Sequence, residues 1–154
     1  IVPCAAVGGR LVDLAIASVI LVGMALYYGV SLTVGVVMVP VLIALVALFS
    51  LGVGIWSSAV NVRYRDIAVV VPVLLQLWMY ASPIIYPISL IPDNWRWLYS
   101  LNPMVGIVEN FRAAILGTAF DWPALGVSAL VALAVFVYAI HTFRRVEKSF
   151  ADII

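Results

Sequence analysis

The feature that most limits the possible folds is a stretch of about 49 residues, from 14 to 62, that contains no charged side chain. As one helix it would extend about 74 Å, whereas a bilayer crossing needs about 30 Å. The length fits two membrane-spanning helices with a turn between them. Gly29 and Ser31, just after two tyrosines, mark that turn. The sequence therefore predicts spans at about 10–29 and 33–60.

Composition supports a membrane protein. Hydrophobic residues make up 66% of the 154-residue chain and charged residues 10%, against roughly 45–50% and 25% in soluble domains. Mean hydropathy is +1.23. Eight basic and seven acidic side chains are too few to cover a soluble surface of this size. These values exclude a soluble globular domain, a disordered tail and a nucleic-acid-binding protein, and they predict an all-α integral membrane protein.

A third span is predicted at about 67–87, where the chain is again uncharged. Pro72, Pro83 and Pro87 interrupt it. Proline leaves backbone carbonyl groups without their helical partners, and these groups must be satisfied by neighbouring helices, side chains or a water-filled cavity. We therefore expect the far end of this span to be irregular.

The last predicted span is 122–143, and a charged tail, 144–154, follows it. The tail is amphipathic, because its apolar residues recur at helical spacing. We expect it to lie flat on a membrane or partner surface.

Between the third and fourth spans, residues 93–116 form a predicted helical hairpin. Asp93 or Asn94 can cap its first helix, and Asn102 followed by Pro103 is a strong start for the second. Gly117 is the expected stop. The hairpin is too short and too charged to cross a bilayer, so we expect a re-entrant hairpin in the interface. Within it, Glu109 and Arg112 have the i, i+3 spacing of an ion pair.

The positions of the basic residues predict the topology. With four spans, six of the eight basic residues fall on one side, which should be cytoplasmic; they are Arg10, Arg63, Arg65, Arg144, Arg145 and Lys148. The C-terminus is then cytoplasmic and the hairpin lies outside. An aromatic belt is expected at the outer boundary, formed by Tyr27, Tyr28, Trp95, Trp97, Tyr99 and Trp122.

The sequence offers little chemistry of its own. It contains no G-x-x-x-x-G-K-[ST] loop for ATP, and no paired carboxylates or Ser/His/Asp set within the spans. One cysteine, Cys4, and one histidine, His141, do not make a usual metal site. We therefore expect a transport subunit rather than an enzyme, with no metal or cofactor in this chain.

Several short strings resemble the membrane subunit of ABC-2 type exporters, in particular the permeases for polysaccharide, O-antigen and teichoic-acid export. In order along the chain they are NVRYRD at 61–66, PVLLQLW at 72–78, SPIIYP at 82–87, LNPM at 101–104, ENFR at 109–112 and FRRVEKSF at 143–150. Family permeases have six spans, so the chain resembles their C-terminal four-span portion.

The resemblance implies a permease homodimer in the bacterial inner membrane. Two cytoplasmic ATP-binding subunits would hold ATP and Mg²⁺, and the dimer would form a channel for a lipid-linked glycan within the membrane lipid. It further implies an ATPase-coupling loop made of Asn61, Arg63, Tyr64, Arg65 and Asp66. The hairpin 93–116 would be a pair of outer gate helices, with Asn102, Pro103, Glu109 and Arg112 as its main polar and capping residues.

Candidate channel-lining residues are Gln76, Trp78, Tyr80, Tyr86 and Phe111. Gln76 and Tyr80 share a helix face with Pro72 and Pro83. Gln76 can donate and accept hydrogen bonds, and aromatic rings offer flat faces to sugar C–H groups. An interhelical hydrogen bond by Gln76 and a lipid-facing Trp78 are open alternatives.

Four small residues of the second span permit close helix packing, although ordinary membrane-helix composition explains them equally well; they are Gly52, Gly54, Ser57 and Ser58.

Three other functions also stay open. The cargo could be a drug, a lipid or haem. The chain could instead be a four-span channel or scaffold without an ATPase. The third alternative, a membrane enzyme acting on lipid-linked sugars, is disfavoured by the absence of an acidic or histidine cluster.

Overall fold

A computed structural model describes residues 2–29, 34–64, 66–86 and 88–151. Every regular element in these ranges is helical. The α-helices are α1 (Val2–Tyr27), α2 (Val39–Arg63), α3 (Ile67–Tyr80), α4 (Asp93–Ser100), α5 (Pro103–Leu116) and α6 (Trp122–Ala151). Two 3-10 helices, Val34–Met38 and Ile88–Leu90, precede α2 and α4. The predicted all-α fold is confirmed for the described part of the chain.

Three helical segments are long and apolar enough to cross a membrane: Gly8–Tyr27, Val34–Asn61 and Trp122–Glu147. They correspond to the first, second and fourth predicted spans. The predicted turn after the first span is present, since α1 ends at Tyr27 and Gly29 has a φ of 70°. That left-handed conformation favours glycine. Residues 30–33, including Ser31, lie outside the described residues.

The third predicted span differs from the other three. Helix α3 has 14 residues, with Pro72 inside it, and ends at Tyr80, so it is only about 21 Å long. From residue 81 to 86 the chain makes turns and bends. The expected irregular far end is thus confirmed, and a continuous helix over 67–87 is not what forms. Pro87 lies outside the described residues.

Helices α2 and α6 form the centre of the fold. A Cβ added to Gly52 of α2 would stand 3.0 Å from Phe136 Cα of α6, so the backbones approach closely there. Leu42, near the start of α2, shares a buried cluster with Leu125, near the start of α6, and with Ile107 of α5. Since 42 pairs with 125 and 52 with 136, α2 and α6 run in the same direction.

This parallel arrangement places basic residues of both helices at the same end of the bundle. Arg63 ends α2, and Arg144 and Arg145 lie in the corresponding last turns of α6. The topology inferred from charge requires these residues on one side, and the helix directions agree with it. Helix α6 continues without a break from the fourth predicted span through residue 151.

The hairpin consists of α4 and α5, and α5 packs mainly on α6. A Cβ on Gly106 would lie 2.3 Å from the backbone oxygen of Ala124, which only glycine permits. The expected cap of α4 by Asp93 or Asn94 is wrong: Asp93 is the first helical residue, and Pro92 occupies the N-cap without a side-chain hydrogen bond. The extended backbone of Pro92 (φ -56°, ψ 143°) marks the start of α4 instead.

Candidate functional site

The start of α5 is the centre of the candidate site. Asn102 is extended, and its side-chain oxygen accepts a hydrogen bond from the backbone N–H of Met104 at 3.0 Å. Pro103 occupies the first helical turn, and α5 ends at Gly117 with a φ of 72°. The predicted cap, proline and stop of this helix are all confirmed.

Asn102 also reaches back to the chain that follows α3. Its Nδ2 donates to the backbone oxygen of Ala81 at 3.3 Å and to Ser82 Oγ at 3.0 Å. Ser82 is buried. One amide side chain therefore caps α5 and ties it to the end of α3.

Glu109 and Arg112 form a second tie to the same segment. They pair with each other, with Arg112 Nη1 at 2.9 Å from Glu109 Oε1. Arg112 Nη2 donates to the backbone oxygen of Ile84 at 3.0 Å, and Nη1 donates to that of Tyr86 at 3.3 Å. Glu109 Oε1 accepts from the backbone N–H of Ile88 at 3.4 Å. The predicted i, i+3 pair is confirmed, and it is more than a surface ion pair.

We call Asn102, Glu109 and Arg112 the clamp. Together they satisfy four backbone polar groups and one hydroxyl of the segment 81–88, which is irregular over 81–86 and enters a 3-10 helix at Ile88. Unpaired backbone groups are costly in an apolar medium, so irregular backbone at membrane depth needs such partners. A planar guanidinium suits this role because its fork reaches two carbonyl oxygens at once. The clamp therefore fixes the hairpin to the end of α3.

A buried asparagine outside the predicted set joins α5 to α6. Asn110 is fully buried, and its Nδ2 donates to the backbone oxygens of Gly106 at 2.7 Å and Asp121 at 3.1 Å. Its Oδ1 accepts from the backbone N–H of Asp121 at 3.0 Å. Sequence reasoning missed Asn110; the available indication was an amide within the apolar stripe of a helix.

The predicted coupling loop lies where α2 meets α3. Asn61 and Asp66 are exposed, and Asp66 occupies the N-cap of α3 without a side-chain bond. Tyr64 is extended and exposed, and its backbone N–H bonds to Val60 at 2.9 Å. Arg65 and the side chain of Arg63 lie outside the described part of the structure.

The channel candidates on α3 do not share one face. Trp78 lines an apolar cleft of about 260 Å³ between α2 and α3. Gln76 and Tyr80 lie about 160–200° around the helix from Trp78 at 100° per residue, and all three side chains are exposed in the single chain. Tyr86 lies close to Tyr80, because its hydroxyl donates to the Tyr80 backbone oxygen at 2.9 Å. Trp78 is therefore separate from the other three.

Phe111 is not brought together with the α3 candidates. It packs against the buried cluster formed by Leu42, Ile107 and Leu125. It also lines a small apolar cavity with residues of α1, among them Val22 and Ala25. In the single chain it is a partly buried residue that packs on the core.

The small residues of α2 have different roles. Gly52 makes the close contact with α6 described above, which supports the packing interpretation for that position. Ser58 donates to the backbone oxygen of Gly54 at 2.8 Å within its own helix. Ser57 lines the cleft with α3, and its buried Oγ has no partner among the described residues.

The sequence profile of the ABC-2 type transporters matches residues 7–116. The chain belongs to the ABC-2 type transporter family. The match extends from α1 to the end of α5, so it includes the predicted coupling loop, the segment 81–88 and the clamp. Within the described residues no group of three His, Cys, Asp or Glu side chains could hold a metal ion.

Curated proteins that resemble this ABC-2 chain include two that are named as permeases and one that is named as a transport protein. The O-antigen export system permease protein RfbA of Myxococcus xanthus is 32% identical over 136 residues, 86% of this chain and 52% of that protein. The polysialic acid transport protein KpsM of Escherichia coli is 29% identical over 108 residues, 69% of this chain and 42% of its own. The inner membrane transport permease YadH of Escherichia coli K12 is 31% identical over 100 residues, which are 65% of this chain and 38% of that protein. The chain thus spans about half of these relatives' length or less.

Proposed function

We propose that this chain is the permease part of an ATP-driven exporter that moves lipid-linked cell-envelope polysaccharide, such as O-antigen, capsule or teichoic acid, across the bacterial inner membrane. The observation that carries the proposal is the 32% identity with an O-antigen export permease over 136 residues. Similarity to a polysialic acid transport protein supports the same cargo class. In this proposal ATP and Mg²⁺ bind a separate ATPase subunit, and two copies of the permease form the channel.

The proposed topology has four spans. The shared end of α2 and α6, which carries Arg63, Arg144 and Arg145, is cytoplasmic by the positive-inside rule. The hairpin is then re-entrant from the outside. Helix α3 is about 21 Å long and does not cross about 30 Å of hydrocarbon by itself. The clamped segment 81–88 completes that crossing, which explains why its backbone needs polar partners.

The coupling loop is proposed to contact the ATPase through Arg63 and Arg65, which pair with acidic groups on that subunit. Reversing both charges (Arg63→Glu with Arg65→Glu) should abolish glycan export and glycan-stimulated ATP hydrolysis. The permease should still insert into the membrane. The measurements are surface glycan on cells, and ATPase activity of the complex co-purified with the permease.

A matched control separates coupling from topology. Arg144→Glu with Arg145→Glu changes the charge by the same amount at the same end of the bundle, on exposed residues of α6. Export should survive this change if both variants insert normally. Normal export by the Arg63/Arg65 variant, or equal loss in both variants, would contradict the coupling role.

Gln76 and Tyr80 are proposed to line the channel. Cys4 is the only cysteine, so a Cys4→Ser background permits single cysteines at 76, 80 and 78. A membrane-impermeant thiol reagent should label positions 76 and 80 in the assembled complex. Position 78 lines the apolar cleft with α2, and Trp78 is 45% exposed, so it is the control and should be labelled less than positions 76 and 80. Equal labelling at all three positions would contradict the proposal that Gln76 and Tyr80 line the channel.

The α4–α5 hairpin is proposed to act as an outer gate. The clamp ties the hairpin to α3, and α3 begins at the coupling loop. A displacement of that loop is therefore transmitted to the hairpin through one short helix.

A drug or lipid is the second candidate cargo class, because YadH is an inner membrane transport permease whose name specifies no glycan. Accumulation of lipid-linked glycan inside cells depleted of the protein would distinguish glycan from drug or lipid cargo.

A further inference from the structure

A cleft of about 550 Å³ lies between α4 and the chain that leads into it. Three aromatic side chains line it: Tyr86, Trp95 and Tyr99. The remaining lining is apolar and includes Leu90 and Leu98. No charged side chain belongs to the described lining. In the proposed topology this cleft, which we call the aromatic cleft, opens on the outer side of the hairpin.

The hydrogen bonds of the two tyrosines fix where their protons are. The Tyr86 hydroxyl lies 2.9 Å from the backbone oxygen of Tyr80, which can only accept, so Tyr86 donates its single proton there. The Tyr86 and Tyr99 hydroxyls are 3.2 Å apart. Since the Tyr86 proton is already used, Tyr99 is the donor in that bond. Both phenol protons are therefore committed inside the protein.

What the tyrosines offer to a ligand is acceptor oxygen. The Tyr99 oxygen keeps both of its lone pairs, and among the described lining residues the indole N–H of Trp95 is the one other side-chain donor. A ligand that brings hydroxyl donors matches these oxygens. A carboxylate or phosphate brings lone pairs and negative charge, and the lining residues that the structure describes offer it neither a cation nor a free phenol proton.

The apolar part of the cleft further limits which hydroxyl-bearing ligands fit. Trp95 is 57% exposed, so its ring is available for stacking, and aromatic faces attract the C–H face of a sugar ring. Leu90 and Leu98 add apolar surface beside it. A hydroxyl-rich ring with one apolar face satisfies both halves of the cleft.

We propose that the aromatic cleft binds a neutral sugar unit of the exported glycan and discriminates against anionic units. The proposal rests on the proposed glycan-export function and adds a selective site to it. A sugar stacks on Trp95 and donates a hydroxyl proton to the Tyr99 oxygen. Arg96 follows Trp95 in sequence but does not line the cleft.

The test is a binding measurement on the detergent-purified complex of the permease with its ATPase. The probes are maltoheptaose, which is neutral, and a sialic acid oligomer of the same length. Calorimetric titration measures the binding of each probe to the complex. We expect maltoheptaose to bind more tightly than the anionic oligomer. Trp95→Ala should weaken maltoheptaose binding about five- to tenfold, as expected for loss of one aromatic stacking partner. Trp97→Ala is the matched control, because Trp97 is on the same helix and outside the cleft.

Two tyrosine variants test the hydrogen-bond assignment. Tyr99→Phe keeps the ring and removes the acceptor, so maltoheptaose binding should weaken about fivefold. Tyr86→Phe releases the Tyr99 proton, so the preference for the neutral over the anionic oligomer should fall. Unchanged maltoheptaose binding in Trp95→Ala, equal effects of Trp95→Ala and Trp97→Ala, or tighter binding of the anionic oligomer would overturn the proposal. Glycan accumulation in depleted cells is measured separately, so export without this binding refutes the cleft alone.

Discussion

Asn110 and Asp121 join α5 to the start of α6 through two reciprocal hydrogen bonds, of 3.1 Å from Asn110 Nδ2 and 3.0 Å to Asn110 Oδ1. Asp121 in turn caps α6, since its Oδ1 accepts from the backbone N–H of Ala124 at 3.0 Å. The loop between the two helices is therefore held from both sides. The hairpin is fixed to α6 by this pair and to α3 by the clamp.

Replacing the buried amide should destabilise the α5–α6 unit. Asn110→Ala leaves the backbone N–H of Asp121 without its partner, and we expect a loss of about 2–3 kcal/mol in the free energy of unfolding. Denaturant unfolding in detergent, followed by circular dichroism, measures the loss. Asn94→Ala is the control, because Asn94 is exposed on α4 and should have little effect. A loss in Asn110→Ala no larger than in the control would contradict the role of the pair.

The close crossing of α5 and α6 requires glycine at position 106. A Cβ there would lie 2.3 Å from the Ala124 oxygen and 2.4 Å from Ser128 Oγ. Gly106→Ala should therefore cost about 1–3 kcal/mol, the usual range for overpacking. Gly126→Ala, on α6 with nothing within 4 Å of the added Cβ, should be neutral or slightly stabilising because alanine is the better helix former. Thermal unfolding of both variants under one set of conditions makes the comparison.

Much of the fold could be predicted from local sequence. The charge-free stretches predict the long helices, because a bilayer crossing has a fixed length and excludes charge. The start and stop of α5 are equally local, since Asn102, Pro103 and Gly117 act on their own backbone. The predicted interruption at Pro72 is wrong, because α3 continues through it as a regular helix.

The site depended on contacts that sequence spacing does not encode. The prolines after α3 predict that carbonyl groups need partners, but not that Asn102 and Arg112 supply them from 20 to 28 residues away. Phe111 is on the apolar stripe of α5, and only the packing of α1 and α2 around it shows that it is a core residue here. Spacing also could not show that Trp78 and not Gln76 lines the cleft with α2, because the position of the neighbouring helix decides this.

Two Arg–carboxylate pairs of the same i, i+3 spacing allow the clamp to be tested against an ordinary surface pair. Arg112→Lys keeps the charge but cannot reach the Ile84 and Tyr86 oxygens with one planar fork, so we expect a loss of about 1–2 kcal/mol and faster hydrogen exchange in segment 81–88. Arg10 pairs with Asp13 at 3.3 Å with side-chain exposures of 87% and 66%, and Arg10→Lys should change neither quantity. Exchange mass spectrometry and unfolding measure both. Equal behaviour of the two variants would remove the clamp's structural role.

Asn102 has two roles that different substitutions separate. Serine caps helices about as well as asparagine, but its short side chain cannot reach Ala81 and Ser82. Asn102→Ser should therefore keep the start of α5 and lose the tie to α3, which speeds hydrogen exchange around residues 81–84 while α5 stays protected. Asn102→Ala loses both roles, and its free energy of unfolding should be about 1 kcal/mol lower than that of Asn102→Ser. If serine and alanine give the same exchange and the same stability, the cap contributes nothing measurable and the tie to α3 accounts for the whole effect.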